Sequence, residues 1–234
     1  MRGPGGRGRH GGGRKGRHSS CGNPRSAREH AFPRNRHRMR FDLSLTQDLC
    51  ARLCHDLGGP LGSVSGALDL IGPVDEAALV ARESAEVLEG RLRLWRALAG
   101  AGAGPLDREG LATLLAGGFG GGRVSADLSS MEDGELPATM ARAALAAAML
   151  GGEALPRGGT VRLSGGAGAL LVLPEGRNAH WPPGLALALA GEAVSGPREV
   201  LAPLLVTLAE TAECRLDMVP SGTDGIEGLS LLPL

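Results

Sequence analysis

The chain has 234 residues, 42% hydrophobic and 21% charged, enough for one large domain or two small ones. Aromatic residues make up only 2% and there is no Tyr, so a core must be built from Leu, Ala and Val, which suits helices better than a β-sandwich. The formal net charge of zero hides two unlike parts: residues 1–40 hold 12 Lys and Arg against one acid, Glu29, and the remainder holds 13 arginines against 24 acids.

The first 40 residues are Gly, Arg, His and Pro with almost no apolar content. Such a segment cannot bury enough surface to offset its chain entropy and is expected to be disordered. It lacks the apolar stretch of a signal peptide. A basic tail can hold nucleic acid through phosphates alone, but nucleic acid is not the expected partner. Met39 stands just before the first patterned segment, and a start there would leave residues 1–38 outside the native protein. The cysteines, Cys21, Cys50, Cys54 and Cys214, suggest no disulfide framework, so a reducing cytoplasm is expected. Cys50-x3-Cys54-His55 invites a metal reading, but zinc needs four ligands and no second pair exists, so no metal is expected. Cys50 and Cys54 read as small packing residues. No apolar run is long enough to span a bilayer.

Residues 42–72 are predicted as a long helix, capped by Ser44 or Asp42 and ended by Gly72-Pro73. Residues 75–100 form a second, with Asp75 and Glu76 in its first turn. The short link makes the pair an antiparallel hairpin. Ala101 to Pro105 is a composition break, which divides the chain into a tail (1–40), a hairpin (41–104) and a further domain (105–234). In that domain, Asp107 to Ala116 is helical and Gly117 to Gly122 a flexible turn. Arg123 to Leu128 alternates like a strand, and Pro137 to Leu150 is an Ala-rich helix started by its proline. Thr160 to Ser164 and Ala169 to Leu173 are short strands. Pro197 to Thr211 is helical, and Cys214 to Val219 pairs with Ile226 to Leu232 across residues 221–225. His180-Trp181-Pro182-Pro183 reads as a loop anchor. The fold class is α+β.

Within the first helix, Leu53-Cys54-His55-Asp56-Leu57-Gly58-Gly59-Pro60-Leu61 carries the chemistry. An imidazole is a nucleophile once it is neutral and reachable, and a neighbouring carboxylate can hold its tautomer and its developing charge. On a helical wheel the large apolar side chains from Leu45 to Ile71 fall within roughly 160°, and His55 lies almost opposite their centre. Its arc also holds Asp48, Ala51, Arg52, Gly58, Gly59, Gly62, Gly66 and Asp69. Four glycines on one face cost about 0.5–1 kcal/mol each, and close approach of another surface is the usual use. Pro60 removes a hydrogen bond from the carbonyl of Asp56 and is expected to loosen the helix beside His55. One hairpin buries its stripe poorly, whereas two would close a four-helix bundle, so a homodimer through residues 42–100 is expected.

His55-Asp56-Leu57-x-x-Pro60-Leu61 resembles the H-box of two-component histidine kinases. More closely, Ala51-Arg-Leu-Cys-His-Asp-Leu57 and Arg91-Leu-Arg-Leu-Trp-Arg96 resemble the alphaproteobacterial histidine phosphotransferases of the ChpT type, over roughly residues 43–234. The resemblance implies a dimeric bundle, a small α/β-sandwich domain like a degenerate histidine-kinase ATPase domain, and phosphoryl relay. His55 would be the phosphorylated residue, taking the group from a hybrid kinase's receiver domain and passing it to response regulators. Asp56 would orient the ring, while Arg52, Gly58, Gly59 and Gly62 would meet the partner. No cofactor of its own is implied; Mg²⁺ would come with the receiver. A working kinase would need an Asn-bearing helix, an Asp-x-Gly-x-Gly turn and a Gly-rich lid; the first two are missing, and the Gly-rich run Gly117–Gly122 precedes a strand, not the helix N-terminus that would cradle phosphate. Gly59 also replaces the Thr or Asn that positions water in kinases that dephosphorylate their partners. An ATP-dependent histidine kinase and a non-catalytic dimeric scaffold are the competing readings.

Overall fold

The structure, a computed structural model, describes residues 43–70, 75–101, 104–220 and 226–234. The basic tail, the Asp42 cap, the Gly72-Pro73 stop and the 221–225 turn lie outside the described residues. Helices α1 (Leu43–Asp69) and α2 (Asp75–Leu98) pack against each other. Then follow α3 (Arg108–Phe119), β1 (Val124–Met131), α4 (Ala138–Glu153), β2 (Gly159–Gly166) and β3 (Ala169–Glu175). The chain closes with α5 (Pro183–Leu189), α6 (Leu201–Thr211), β4 (Cys214–Pro220) and β5 (Glu227–Pro233). The five strands form one sheet in the order β1-β2-β3-β5-β4, parallel between β1 and β2 and antiparallel elsewhere. The fold is mixed α+β, as the sequence pattern implies. Among the described residues, no helix is long and apolar enough to cross a membrane.

Helix α4 shows how the core is built without aromatics. Pro137 precedes it, where its missing N–H costs nothing. Ala143, Ala144, Leu145, Ala146, Ala147 and Ala148 are all fully buried. Six consecutive residues go more than once around a helix, so α4 has no open face over this stretch. The sheet covers one side through Val161, Leu163 and Val172, and α6 covers another through Leu201 and Leu205. Methyl side chains are what allow both neighbours to approach so closely. The opposite sheet face is polar: Arg162 reaches Asp127 at 3.4 Å and Glu175 at 3.0 Å across neighbouring strands.

Several element boundaries differ from the sequence reading. Gly117 and Gly118, expected in a turn, are helical, because α3 runs on to Phe119. The reason is packing. A Cβ on Gly117 would lie 2.9 Å from Gly90 Cα, and one on Gly90 would lie 2.6 Å from the Gly117 carbonyl oxygen. The two glycines let α2 and α3 touch backbone to backbone, and Gly118 gives way to Leu94 in the same manner. In addition, Pro182-Pro183 starts the short helix α5, with proline again in the first turn, and α6 begins at Leu201 rather than Pro197. Trp181 does anchor its loop, donating from Nε1 to the Glu227 carbonyl at 2.8 Å.

The α2–α3 contact is testable. Gly117→Ala forces a methyl into the Gly90 backbone and should cost about 1–3 kcal/mol, the usual range for overpacking. Urea denaturation of the purified chain measures it; a change within error would show that the helices are free to separate.

Candidate functional site

The side chain of His55 is 85% exposed, on the helix face away from the half-buried Leu53 and Leu57. Its Nδ1 lies 3.2 Å from Oδ1 of Asp56. With the proton on Nδ1 donated to that carboxylate, Nε2 keeps its lone pair and faces solvent. Adjacent residues on a helix do not share a face, so this contact needs Asp56 to be held in place by something else.

Two arginines do so. Arg52, one turn earlier, donates from Nε to Oδ1 of Asp56 at 3.0 Å and to Oδ2 at 3.1 Å. Arg91, on α2, donates to the Asp56 carbonyl at 2.8 Å. That carbonyl is the one Pro60 leaves without its helical N–H partner, four residues on. The sequence reading expected Pro60 to loosen the backbone here. Instead α1 is unbroken from Leu43 to Asp69 with Pro60 buried inside it. A cation from the neighbouring helix takes the orphaned acceptor and ties α1 to α2 beside His55.

Arg52 was expected on an open polar arc. The structure half-buries it and commits it to two carboxylates, since its Nη1 also meets Oε1 of Glu153 at the end of α4, at 2.6 Å. Burial works against the Arg52 charge, but Glu153 and Asp56 more than offset this and hold its pKa above the ordinary value. Burial pushes the Glu153 carboxyl up; Arg52 pulls it down, and the charges of Asp56 and Glu199 push it up again. A second tie comes from Asp48, which accepts the Gly196 N–H at 2.7 Å. Asp48, Arg52 and Asp56 are spaced by four, so one polar stripe of α1 binds the α/β residues. His55 sits at its edge. The groove beside it, about 340 Å³, is lined by Arg52, Asp56, Arg91, Trp95, Phe119 and Glu153.

The other residues singled out from the sequence fall as follows. Gly58, Gly59 and Gly62 are exposed, and a Cβ on any of them would meet nothing within 4 Å, so α1 is bare for two turns after His55. Cys50 and Cys54 are exposed rather than packed, and Cys214 is buried. Among the described residues no group of three His, Cys, Asp or Glu converges as a metal site would require. Sequence reasoning missed Arg91 and Glu153. The signal for Arg91 was present: a proline inside a helix next to a candidate site demands a donor from elsewhere. For Glu153 there is none: the alanine pattern stops at Leu150, and Gly151-Gly152, which read as a helix end, separate it from the acid.

Comparisons with known proteins bear on the fold and the family. A solved bacterial phosphotransferase superposes with a TM-score of 0.67 and 25% identity, covering 81% of this chain and 95% of its own. The Acinetobacter baumannii histidine kinase AdeS aligns over 76% of this chain and 95% of its own, but at a TM-score of 0.37 and 9% identity it carries no argument. A search of curated protein sequences returns no match. The class that the fold defines is a helical hairpin packed on a small α/β unit. Residues 108–224, half of the chain, match the family model of the histidine phosphotransferase C-terminal domain, and the protein belongs to that family. The matched residues lie wholly outside the hairpin that carries His55.

The Arg91 tie predicts a specific pattern of coupling. Arg91→Met leaves the Asp56 carbonyl without a donor and should cost roughly 1–2 kcal/mol. Pro60→Ala restores the helical N–H, so in that background Arg91→Met should cost clearly less. Urea denaturation of the two single variants and the double variant measures this. Strict additivity would mean that Arg91 does not stand in for the missing bond.

Proposed function

We propose that the protein is a histidine phosphotransferase of a cytoplasmic two-component phosphorelay. In this reading His55 accepts a phosphoryl group from the receiver domain of a hybrid histidine kinase and passes it to the aspartates of response regulators. The observation that carries the reading is the placement of His55: exposed, with Nδ1 on Asp56 and Nε2 open to solvent. Family membership supports it.

The chemistry asks little of the side chains beyond position. Nε2 of unprotonated His55 attacks the phosphorus of an acyl phosphate; the N–P bond forms as the P–O bond to the donor aspartate breaks, and that carboxylate leaves. The ring then carries positive charge, which Asp56 balances through Nδ1–H. A second receiver's carboxylate attacks the phosphohistidine and returns the lone pair to Nε2. Alignment and charge balance supply the acceleration in such transfers. Magnesium belongs to the receivers in this scheme. Helix α4, enclosed by the sheet and α6, offers alanine methyls where a nucleotide-binding helix would need polar side chains. That favours relay over autophosphorylation from ATP. The bare strip at Gly58, Gly59 and Gly62 gives a receiver room to approach.

The same reading includes a homodimer. Leu61, Leu68, Leu70, Leu79 and Val80, near the hairpin's turn, are between 46% and 74% exposed. Against them, Leu94, Trp95 and Leu98 at the other end are buried. Leu92, 43% exposed, is the exception at that end; apolar exposure concentrated towards the turn of a hairpin fits closure by a second copy into a four-helix bundle.

Two measurements test these statements. Incubated with receiver domains carrying radiolabelled phosphate, the chain should acquire acid-labile label, and His55→Ala should acquire none while keeping its size in solution. Full labelling of that variant would sink the proposal. Leu68→Glu should convert the dimer to monomer by light scattering; a monomeric parent chain would remove the bundle from the model of function.

A further inference from the structure

The contact between Arg52 and Glu153 does more than join α4 to the hairpin. One guanidinium serves two carboxylates: Nε faces Asp56, and Nη1 faces Glu153 at 2.6 Å. Glu153 draws one edge of Arg52 away from Asp56. It also leaves the three groups with one surplus negative charge, and Asp56 is the carboxylate that meets His55. We propose that Glu153, acting through Arg52 and Asp56, is a positioning residue that keeps the His55 proton on Nδ1 and so leaves Nε2 free as the nucleophile. The inference rests on the phosphotransfer reading above for its consequence, but its structural content stands on the ring alone.

A carboxylate is a strong acceptor for an imidazole N–H to the degree that its charge is not already answered. With Glu153 neutral, Asp56 would be the sole counter-charge of Arg52 and a weaker partner for Nδ1–H. The guanidinium would also be free to turn and grip Asp56 through two nitrogens, the favoured geometry of an Arg–carboxylate pair. That grip would draw Oδ1 from the ring. Both effects return His55 towards the Nε2–H form that a free imidazole prefers in water, which blocks the nitrogen that must attack. A carboxylate that fixes a histidine tautomer by accepting its ring N–H is a known device, and here a second carboxylate acts on the first through Arg52. Here it would make the reactivity of a hairpin residue depend on the end of a helix in the α/β unit. The charged groups around Glu153 are Arg52, Asp56 and Glu199.

The test reads the ring directly. In the full chain with ¹⁵N-labelled histidine, the imidazole shifts of His55, assigned by His55→Ala, should report mainly Nδ1–H. Glu153→Gln should move the population towards Nε2–H and slow phosphoryl uptake at saturating phosphorylated receiver on the order of ten-fold, as loss of an orienting partner does elsewhere. Receiver affinity should hold. Glu89→Gln, which breaks only the exposed pair with Arg93 on α2, should change neither readout. A parent chain that is mainly Nε2–H at His55 overturns the inference, whether or not the variant folds. An unchanged tautomer in Glu153→Gln, or a changed tautomer with unchanged uptake, also overturns it. If the parent chain takes up no label at all, the phosphotransfer reading has failed, and the tautomer measurement still decides whether Glu153 sets the ring.

Discussion

Between Gly90 and Gly117 two helices meet with no side chain between them. That contact brings α3 against the C-terminal half of α2, so that Leu94, Trp95 and Leu98 join Leu111 and Leu115 in the main core. The other half of α2 gets no such cover, and Leu79 and Val80 stay exposed. The hairpin is thus polarised along its length. One end is embedded in the α/β unit and the other is left apolar and bare. His55 pairs in height with Arg91, near the border between the two. A residue at that border can be held by the folded core and still be reached from outside.

Much of this was legible in the sequence, and the parts that were not have physical reasons. The 3.6-residue period of Leu49, Leu53 and Leu57 is enough to orient α1 and to put His55 on the outward face, since periodicity reports burial directly. Strand β2 begins at Gly159 and nears its end at Gly165, both at positive φ, and glycines of this kind act as turn signals. The same rule misled at Gly117. A glycine that ends a helix and one that lets a second helix in look identical in sequence, and only tertiary packing separates them. The wheel also placed Asp48, Arg52 and His55 on one polar arc. It could not say that the first two face a protein surface and the last faces water, because a polar contact between elements leaves no hydrophobic signature.

The alanine helix illustrates a different limit. From Ala143 to Ala148 its side chains are methyls and one leucine, which offer no ligand to magnesium and no charge to phosphate. What those alanines are for is a matter of packing. They thin the helix so that the sheet and α6 both close on it, and in a chain with 2% aromatic residues that close approach replaces bulk as the source of a filled core. Those residues make the helix a good central pillar, and the pillar's end supplies Glu153.

The two faces of the hairpin differ in what they contribute. The α2 side is apolar, and burial of Leu94, Trp95 and Leu98 supplies the adhesion between hairpin and α/β unit. The α1 side is polar, and partly exposed ion pairs such as Arg52–Glu153 add little net stability. Their value is direction. Adhesion through leucines would tolerate α1 turning about its axis, since apolar contacts are non-directional. The bonds of Asp48 to Gly196 and of Arg52 to Glu153 lie on one stripe and set that rotation, while Arg91 on the Asp56 carbonyl sets the slide along the axis. A turn of one residue, about 100°, would carry His55 off the presented face. The hairpin needs its leucines to stay attached and its charged stripe to present the right residue, and neither set can do the work of the other.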